Sequence, residues 1–283
     1  MPIFDQSYRH YEGEFKGYSF RWWVVTRWGI MHFLRKKWFI LLLLLTLIPF
    51  LVRGIMIYVA THFPEARIQI LDINPRFFLQ FILQQQFFLL IITVLTGSGL
   101  IANDMRYNAL QLYLSKPIRR LDYIAGKLGV ISFFLALITL IPALFLFIIR
   151  LLFSNDLSFF KQYYWLPLSI TVFCIIIILV TGCLIIAISS LFKSTRLAAI
   201  VFAVVFMFSP VMYQILNRVY HNNKFALISY IHNLDRLGSW LFGVQIKYKY
   251  DFHWAWSLLI LIGIIALSLY ILNKRVRGVE VAK

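Results

Sequence analysis

Six apolar runs, each long enough to cross a bilayer, constrain this chain more than any other feature. A spanning helix needs about 20 predominantly apolar residues. Runs of that kind lie near 38–59, 77–101, 128–149, 166–190, 197–216 and 254–272. Aromatic anchors mark several of their ends: Trp38 and Tyr58, the Tyr163-Tyr164-Trp165 cluster, Tyr213, Trp254 with Trp256, and Tyr270. Composition agrees, with 61% hydrophobic and 14% charged residues, against roughly half and a quarter in soluble chains. A water-soluble globular domain, a disordered chain and a disulfide scaffold are excluded. The fold class is an all-α polytopic membrane protein. A segment over 1–37 precedes a single six-span domain over 38–283. Cys174 and Cys183 share one apolar run nine residues apart, so they fall on opposite helix faces and do not pair.

Six spans put both termini on one side. That side holds residues 1–37, 102–127, 191–196 and 273–283, with 18 Lys/Arg against 6 Asp/Glu, and the remainder holds 10 and 5. The bias predicts cytoplasmic termini. The net charge of +17 is therefore a topology and lipid-headgroup signal, and nucleic acid is not an expected partner. The first 37 residues show no signal-peptide pattern, and the sequence has no Asn-x-Ser/Thr acceptor. The expected location is a prokaryotic inner (plasma) membrane, with multiple spans.

The chemistry that is missing narrows the function. Within the runs Arg53 is the single charge; it lies near the far end of the first, where snorkelling to the interface is expected. Proton-coupled transporters and voltage sensors need more than this, and an intramembrane hydrolase needs a nucleophile with a base or paired carboxylates. The six histidines are scattered, without metal-ligand spacing. Gly126-Lys127 lacks the rest of a phosphate loop. No metal, no cofactor and no catalytic residue is expected in this chain. If it moves a solute uphill, the energy must come from a partner.

The loop 102–127 is the informative stretch. Asn103 or Asp104 can cap a short helix, and Leu110, Tyr113 and Leu114 recur at helical spacing. Pro117 stops the helix, and Asp122 can cap the next. A short amphipathic helix ending in a basic turn is expected, either as a docking contact or as a membrane-surface helix.

This loop resembles that of ABC-2-type transporter permeases, the membrane subunits of ATP-binding cassette exporters. The family's acidic residue after span two is matched by Asp104. Its small residue with Leu is Ala109-Leu110, and its Leu-Ser-Arg-Pro run is Leu114-Ser115-Lys116-Pro117-Ile118-Arg119-Arg120. Tyr123 and Gly126-Lys127 complete the match at the entry to span three. Lys116 stands where Arg is usual, and Asn108 where Gly is frequent. The resemblance implies a type V exporter-like fold, with an N-terminal interfacial helix over 20–37 and a cytoplasmic coupling helix in a groove of the ATPase. On that analogy Asp104, Arg106, Leu110, Tyr113, Leu114, Lys116, Arg119 and Arg120 are the ATPase contacts. The resemblance also implies an ABC ATPase subunit that binds ATP and Mg, and a second permease subunit, identical or not.

On the outer side, the loop 217–252 contains Leu227, Ile231, Leu234, Gly238 and Leu241 at spacings of three and four, an amphipathic helix. The resemblance implies a partly re-entrant element there. Gln80, Gln84, Gln85 and Gln86 form a polar set that is costly beside lipid. Because spans two and five line the cavity in the family, Gln84, Met207, Ser209 and Tyr213 are candidate path-lining residues. Gly97, Ser98 and Gly99 suit close helix contact, and Pro49, Pro142 and Pro210 are expected to kink their spans. Two other readings stand beside this one, and the first would need a cluster of His, Asp or Glu at a membrane face that the sequence does not show. One is a membrane-embedded enzyme acting on lipid or sugar intermediates. The other is a non-transporting structural or sensory subunit of an ABC complex.

Overall fold

The computed structural model describes residues 20–62, 73–109, 119–153, 158–244 and 252–276. Among these the secondary structure is helical, with no strand. Six helical stretches are long and apolar enough to cross a membrane: Lys37–His62, Pro75–Arg106, Arg120–Phe153, Leu166–Leu191, Thr195–Tyr220 and Trp254–Arg275. They are spans one to six below. The end where spans one, three and five begin is called basal, and the opposite end distal. Every span is as long as its apolar run or longer. The extension is largest at the start of span three, because Tyr123, Gly126 and Lys127 lie on a helical face that packs inside the protein.

Span four is the axis, packing against spans two, three, five and six. Spans one, five and six are its periphery and keep broad apolar faces outward, including Leu44, Val204 and Ile262. Cys174 and Cys183 are buried and unpaired on span four. Gly97 of span two meets span four so closely that a Cβ there would lie 2.6 Å from Ile185.

Proline shapes the spans as expected, and at Pro210 a side chain satisfies the carbonyl it frees. Span one breaks at Thr46, three residues before Pro49. There Gln85 Nε2 donates to the Thr46 carbonyl at 3.2 Å. Span three breaks at Thr139, three residues before Pro142. Pro210 interrupts the bonding of span five without ending the helix. It removes the amide that would reach the Phe206 carbonyl, and the Ser209 hydroxyl donates to that carbonyl at 3.4 Å.

Before span one, helix Arg21–Leu34 lies along the basal half of span three. Its apolar residues are spread around the wheel, on the face against span three and on the exposed face alike. Val25, Ile30 and Phe33 are buried on protein, whereas Trp23, Val24, Trp28 and Met31 are exposed. Arg35 and Lys36 form the corner into span one.

After span five the chain turns back into the bundle. A 3-10 helix, Asn223–Ile228, leads to helix Tyr230–Leu241. Leu227 belongs to the 3-10 turn rather than to the amphipathic helix. The Tyr230 hydroxyl is 2.6 Å from Thr181 Oγ1. Thr181 is fifteen residues along span four from its distal start, roughly 22 Å at 1.5 Å per residue. The helix therefore begins near mid-bundle and rises outward. Its Gly238 passes Leu79 and Phe173, where a Cβ would come within 2.6 and 2.8 Å. This is a re-entrant arrangement, and it puts His232, Asn233, Asp235 and Arg236 between spans whose own sequences are almost free of such groups.

Candidate functional site

The basal ends of spans two and three are locked together by polar side chains. Span two is interrupted after Gly97 and resumes as the turn Ala102–Arg106. Ser189 of span four satisfies that interruption. Its hydroxyl donates to the Ser98 carbonyl at 2.7 Å and accepts from the amides of Ile101 and Ala102 at 3.2 and 3.0 Å. The turn so held presents Asp104 to span three. There Lys127 Nζ lies 2.7 Å from Asp104 Oδ2, and the Tyr123 hydroxyl donates to the same oxygen at 2.7 Å. Tyr123 and Lys127 are four residues apart, so both side chains share one face. Tyr123 is fully buried and Lys127 nearly so. An ion pair this sheltered is costly to break, because removing one partner strands the other charge.

Asn103 and Asp104 are thus not caps of a following helix, as the sequence suggested. They lie inside the last turn of span two, whose N-cap position is Ile101. Asp104 is committed to span three, and Asn103 Oδ1 accepts from the Thr195 hydroxyl at 2.8 Å, tying in the start of span five. Asp122 does act at the start of span three, accepting from the Arg119 amide at 3.2 Å. Asn108 adopts φ +54°. Only Gly takes that region freely, with Asn the next most tolerant. This explains the Asn at this position.

The lock extends to the N-terminal helix. Thr26 Oγ1 donates to the Gly126 carbonyl at 3.0 Å. A Cβ on Gly126 would lie 2.9 Å from the Trp22 carbonyl oxygen, and one on Gly129 2.6 Å from Thr26 Oγ1. The two glycines therefore let helix Arg21–Leu34 approach span three at backbone distance. Between that helix, spans two and three and the start of span five is a cavity of about 450 Å³. His32 and Lys36 line it beside Trp28, Asn103 and the Asp104–Lys127 pair. Partial burial, then the charges of Lys36 and Arg35, push the His32 pKa down.

The surface around the loop is basic. Arg106, Arg119 and Arg120 are exposed, with Tyr107 and Leu121 beside them as large exposed apolar groups. Leu110, Tyr113, Leu114 and Lys116 lie outside the described residues. Of the eight expected contacts, the structure places Arg106, Arg119 and Arg120 at the surface and turns Asp104 inward. Tyr123 and Lys127 were legible only as parts of a motif. Their structural partner was not, because nothing in the spacing pairs residues 104 and 127.

The expected path-lining residues do not gather on one surface within the chain. The Gln84 amide oxygen accepts from Arg53 Nη2 at 2.9 Å, and the Arg53 guanidinium lies 4.5 Å from the Phe77 ring centroid. Arg53 is therefore buried between spans one and two instead of snorkelling to the interface, because an amide and an aromatic face are within closer reach than water. Gln85 and Gln86 are buried, and Gln80 is exposed. Met207 is 61% exposed on the outer face of span five. Ser209 serves the proline break. Tyr213 is buried under the re-entrant segment, its ring 4.4 Å from that of His232.

Comparison with known proteins adds one match. A family model described as ABC-2 family transporter protein matches residues 23–275. Among curated proteins none matches the sequence.

Proposed function

The chain belongs to the ABC-2 family of transporter proteins, and from that membership we propose that it is the permease subunit of an ABC exporter. It forms the translocation path with a second permease subunit and takes its energy from a separate ATPase subunit. ATP and Mg are bound and hydrolysed in that partner, and this chain contributes no catalytic residue. Its basal end faces the cytoplasm of a prokaryotic cell, where the excess of Lys and Arg is found.

The observation that carries this reading is the Asp104–Lys127–Tyr123 lock. A loop attached to two independent spans would absorb a push by bending. Here the ends of spans two and three move as one body, with the N-terminal helix seated on it through Gly126 and Thr26. Displacement of the loop is delivered to three elements at once. Closure of an ATPase dimer that binds one permease conformation more tightly than the other shifts the population toward it. The partner can shift that equilibrium by no more than its differential affinity for the two states.

The test is co-purification in mild detergent, with ATPase activity assayed in the eluate. The wild type is expected to bring down an ABC ATPase, and a Leu110→Asp/Tyr113→Asp variant to lose it while keeping its own fold. A folded wild type that never retains an ATPase, when the neighbouring ATPases are co-expressed, overturns the reading.

A further inference from the structure

The breaks in spans one and three occur side by side, and they leave a groove of about 320 Å³ that no side chain fills. Leu44 and Leu47 of span one form one wall, Ile141 and Phe145 of span three the other, and Leu43 and Ile138 lie at the floor. The floor is buried, while Leu44, Ile141 and Phe145 are between 41% and 58% exposed. The groove therefore opens outward, toward lipid. Protein interiors are packed to crystal density, and a void lined by apolar atoms gains nothing from water. An acyl chain is the one abundant group of matching chemistry beside it.

Its position along span one specifies more. Lys37, Ile40, Leu44 and Leu47 recur at spacings of three, four and three, so they lie on one helix face. Lys37 opens the span at the basal end. Leu47 is ten residues further, roughly 15 Å at 1.5 Å per residue. That is about half of the 30 Å hydrocarbon thickness, the depth of one leaflet. The groove thus begins one turn from Lys37 and extends about one leaflet's depth from it along span one. Arg35 is exposed at the same corner and Lys36 partly so. The acids described at this end are engaged elsewhere, Asp104 with Lys127 and Tyr123 and Asp122 with the Arg119 amide.

We propose that this groove is a binding site for an anionic phospholipid of the leaflet at the basal end. One acyl chain occupies the groove between the two breaks, and the phosphate is held by Lys37 with Arg35 and Lys36. The site rests on the membrane fold alone and does not depend on the transport reading.

The experiment uses full-length protein in nanodiscs containing phosphatidylglycerol or phosphatidylcholine with a photoreactive diazirine at the end of one acyl chain. Labelled peptides are identified by mass spectrometry. The expected result is labelling of the peptides around Leu44 and Phe145 well above that around Leu259 and Ile262, which are exposed on span six. Phosphatidylglycerol should be preferred on the order of fivefold per engaged cation. Arg35→Gln/Lys36→Gln/Lys37→Gln should abolish the preference between the lipids. Leu44→Trp, which fills the groove, should abolish the labelling, and Phe145→Trp does the same from the opposite wall should the first variant fail to fold. Equal labelling of groove and span six, or no preference for the anionic lipid, overturns the proposal.

Discussion

Lys127 of span three and Asp104 of span two meet at 2.7 Å although 23 residues of chain separate them. Both are sheltered, and Tyr123 donates to the same carboxylate oxygen. Replacing Asp104 by Asn removes the carboxylate charge of the sheltered Asp104–Lys127 pair, a loss of about 3–5 kcal/mol for a buried pair. We expect a large drop in thermal stability in detergent. The paired replacement Asp104→Leu/Lys127→Met removes both charges and should recover most of it, since apolar substitutes for a buried pair are often neutral. A double-mutant cycle by thermal unfolding checks this. Additivity of the two single changes would show that the pair is not coupled.

Gly126 is the point where the N-terminal helix touches span three at backbone distance. Gly126→Ala puts a methyl 2.9 Å from the Trp22 carbonyl oxygen and 2.7 Å from Val25 Cβ. Overpacking of this kind costs about 1–3 kcal/mol, and here it is concentrated on the docking of helix Arg21–Leu34. Hydrogen exchange of that helix should rise in the variant. Gly54→Ala is the control, because nothing lies within 4 Å of its Cβ position and helix propensity favours Ala by about 1 kcal/mol.

Much of this architecture was legible in the sequence because a bilayer imposes one rule on every span. Apolar runs of about 20 residues fixed the number and order of the spans, and Pro49 and Pro142 fixed where two of them break. Asp104 and the Tyr-x-x-Gly-Lys run over 123–127 were legible as a pattern but not as a mechanism. Asp104, Tyr123 and Lys127 act through a contact between spans, which no local periodicity encodes. The same limit applied to Arg53. Its sequence neighbours are apolar, so an interfacial position was the natural reading, whereas Gln84 and Phe77 reach it from another span. Ser209 looked like a polar group available to a path, and its partner is the Phe206 carbonyl freed by the next residue, Pro210.

Arg53 is held by one charge-assisted hydrogen bond and one aromatic face. Gln84→Leu removes the acceptor and leaves the guanidinium buried, a loss of about 1.5–3 kcal/mol. Arg53→Met/Gln84→Leu removes donor and acceptor together and should be milder than Gln84→Leu alone. Melting temperatures of the three proteins in one detergent give the ranking, and a double variant less stable than Gln84→Leu would contradict this account of the site.

The exposed arginines at the rim of the loop have a different signature from the buried lock. Arg106→Glu/Arg119→Glu/Arg120→Glu leaves every described internal contact of Asp104 and Lys127 in place, so stability should change little. Exposed charges act over about 10 Å at 0.1 M salt and mainly set the rate and salt dependence of association. The triple variant should bind the ATPase partner more slowly, with the difference from wild type shrinking as salt is raised. Surface-plasmon kinetics at two salt concentrations measures both quantities.

Asn108 tests whether the turn after span two is under conformational constraint. At φ +54° a residue with a Cβ is disfavoured by roughly 1–2 kcal/mol, with Asn penalised less than most and Gly not at all. Asn108→Gly should therefore preserve or slightly raise stability, and Asn108→Val should lower it, because a β-branched side chain is the least tolerant of this region. The same series should order ATPase co-purification, since the turn directs the chain from the Asp104 lock into the loop. If Asn108→Val matched wild type in both measurements, the left-handed turn would not be a constraint on how the loop leaves the bundle.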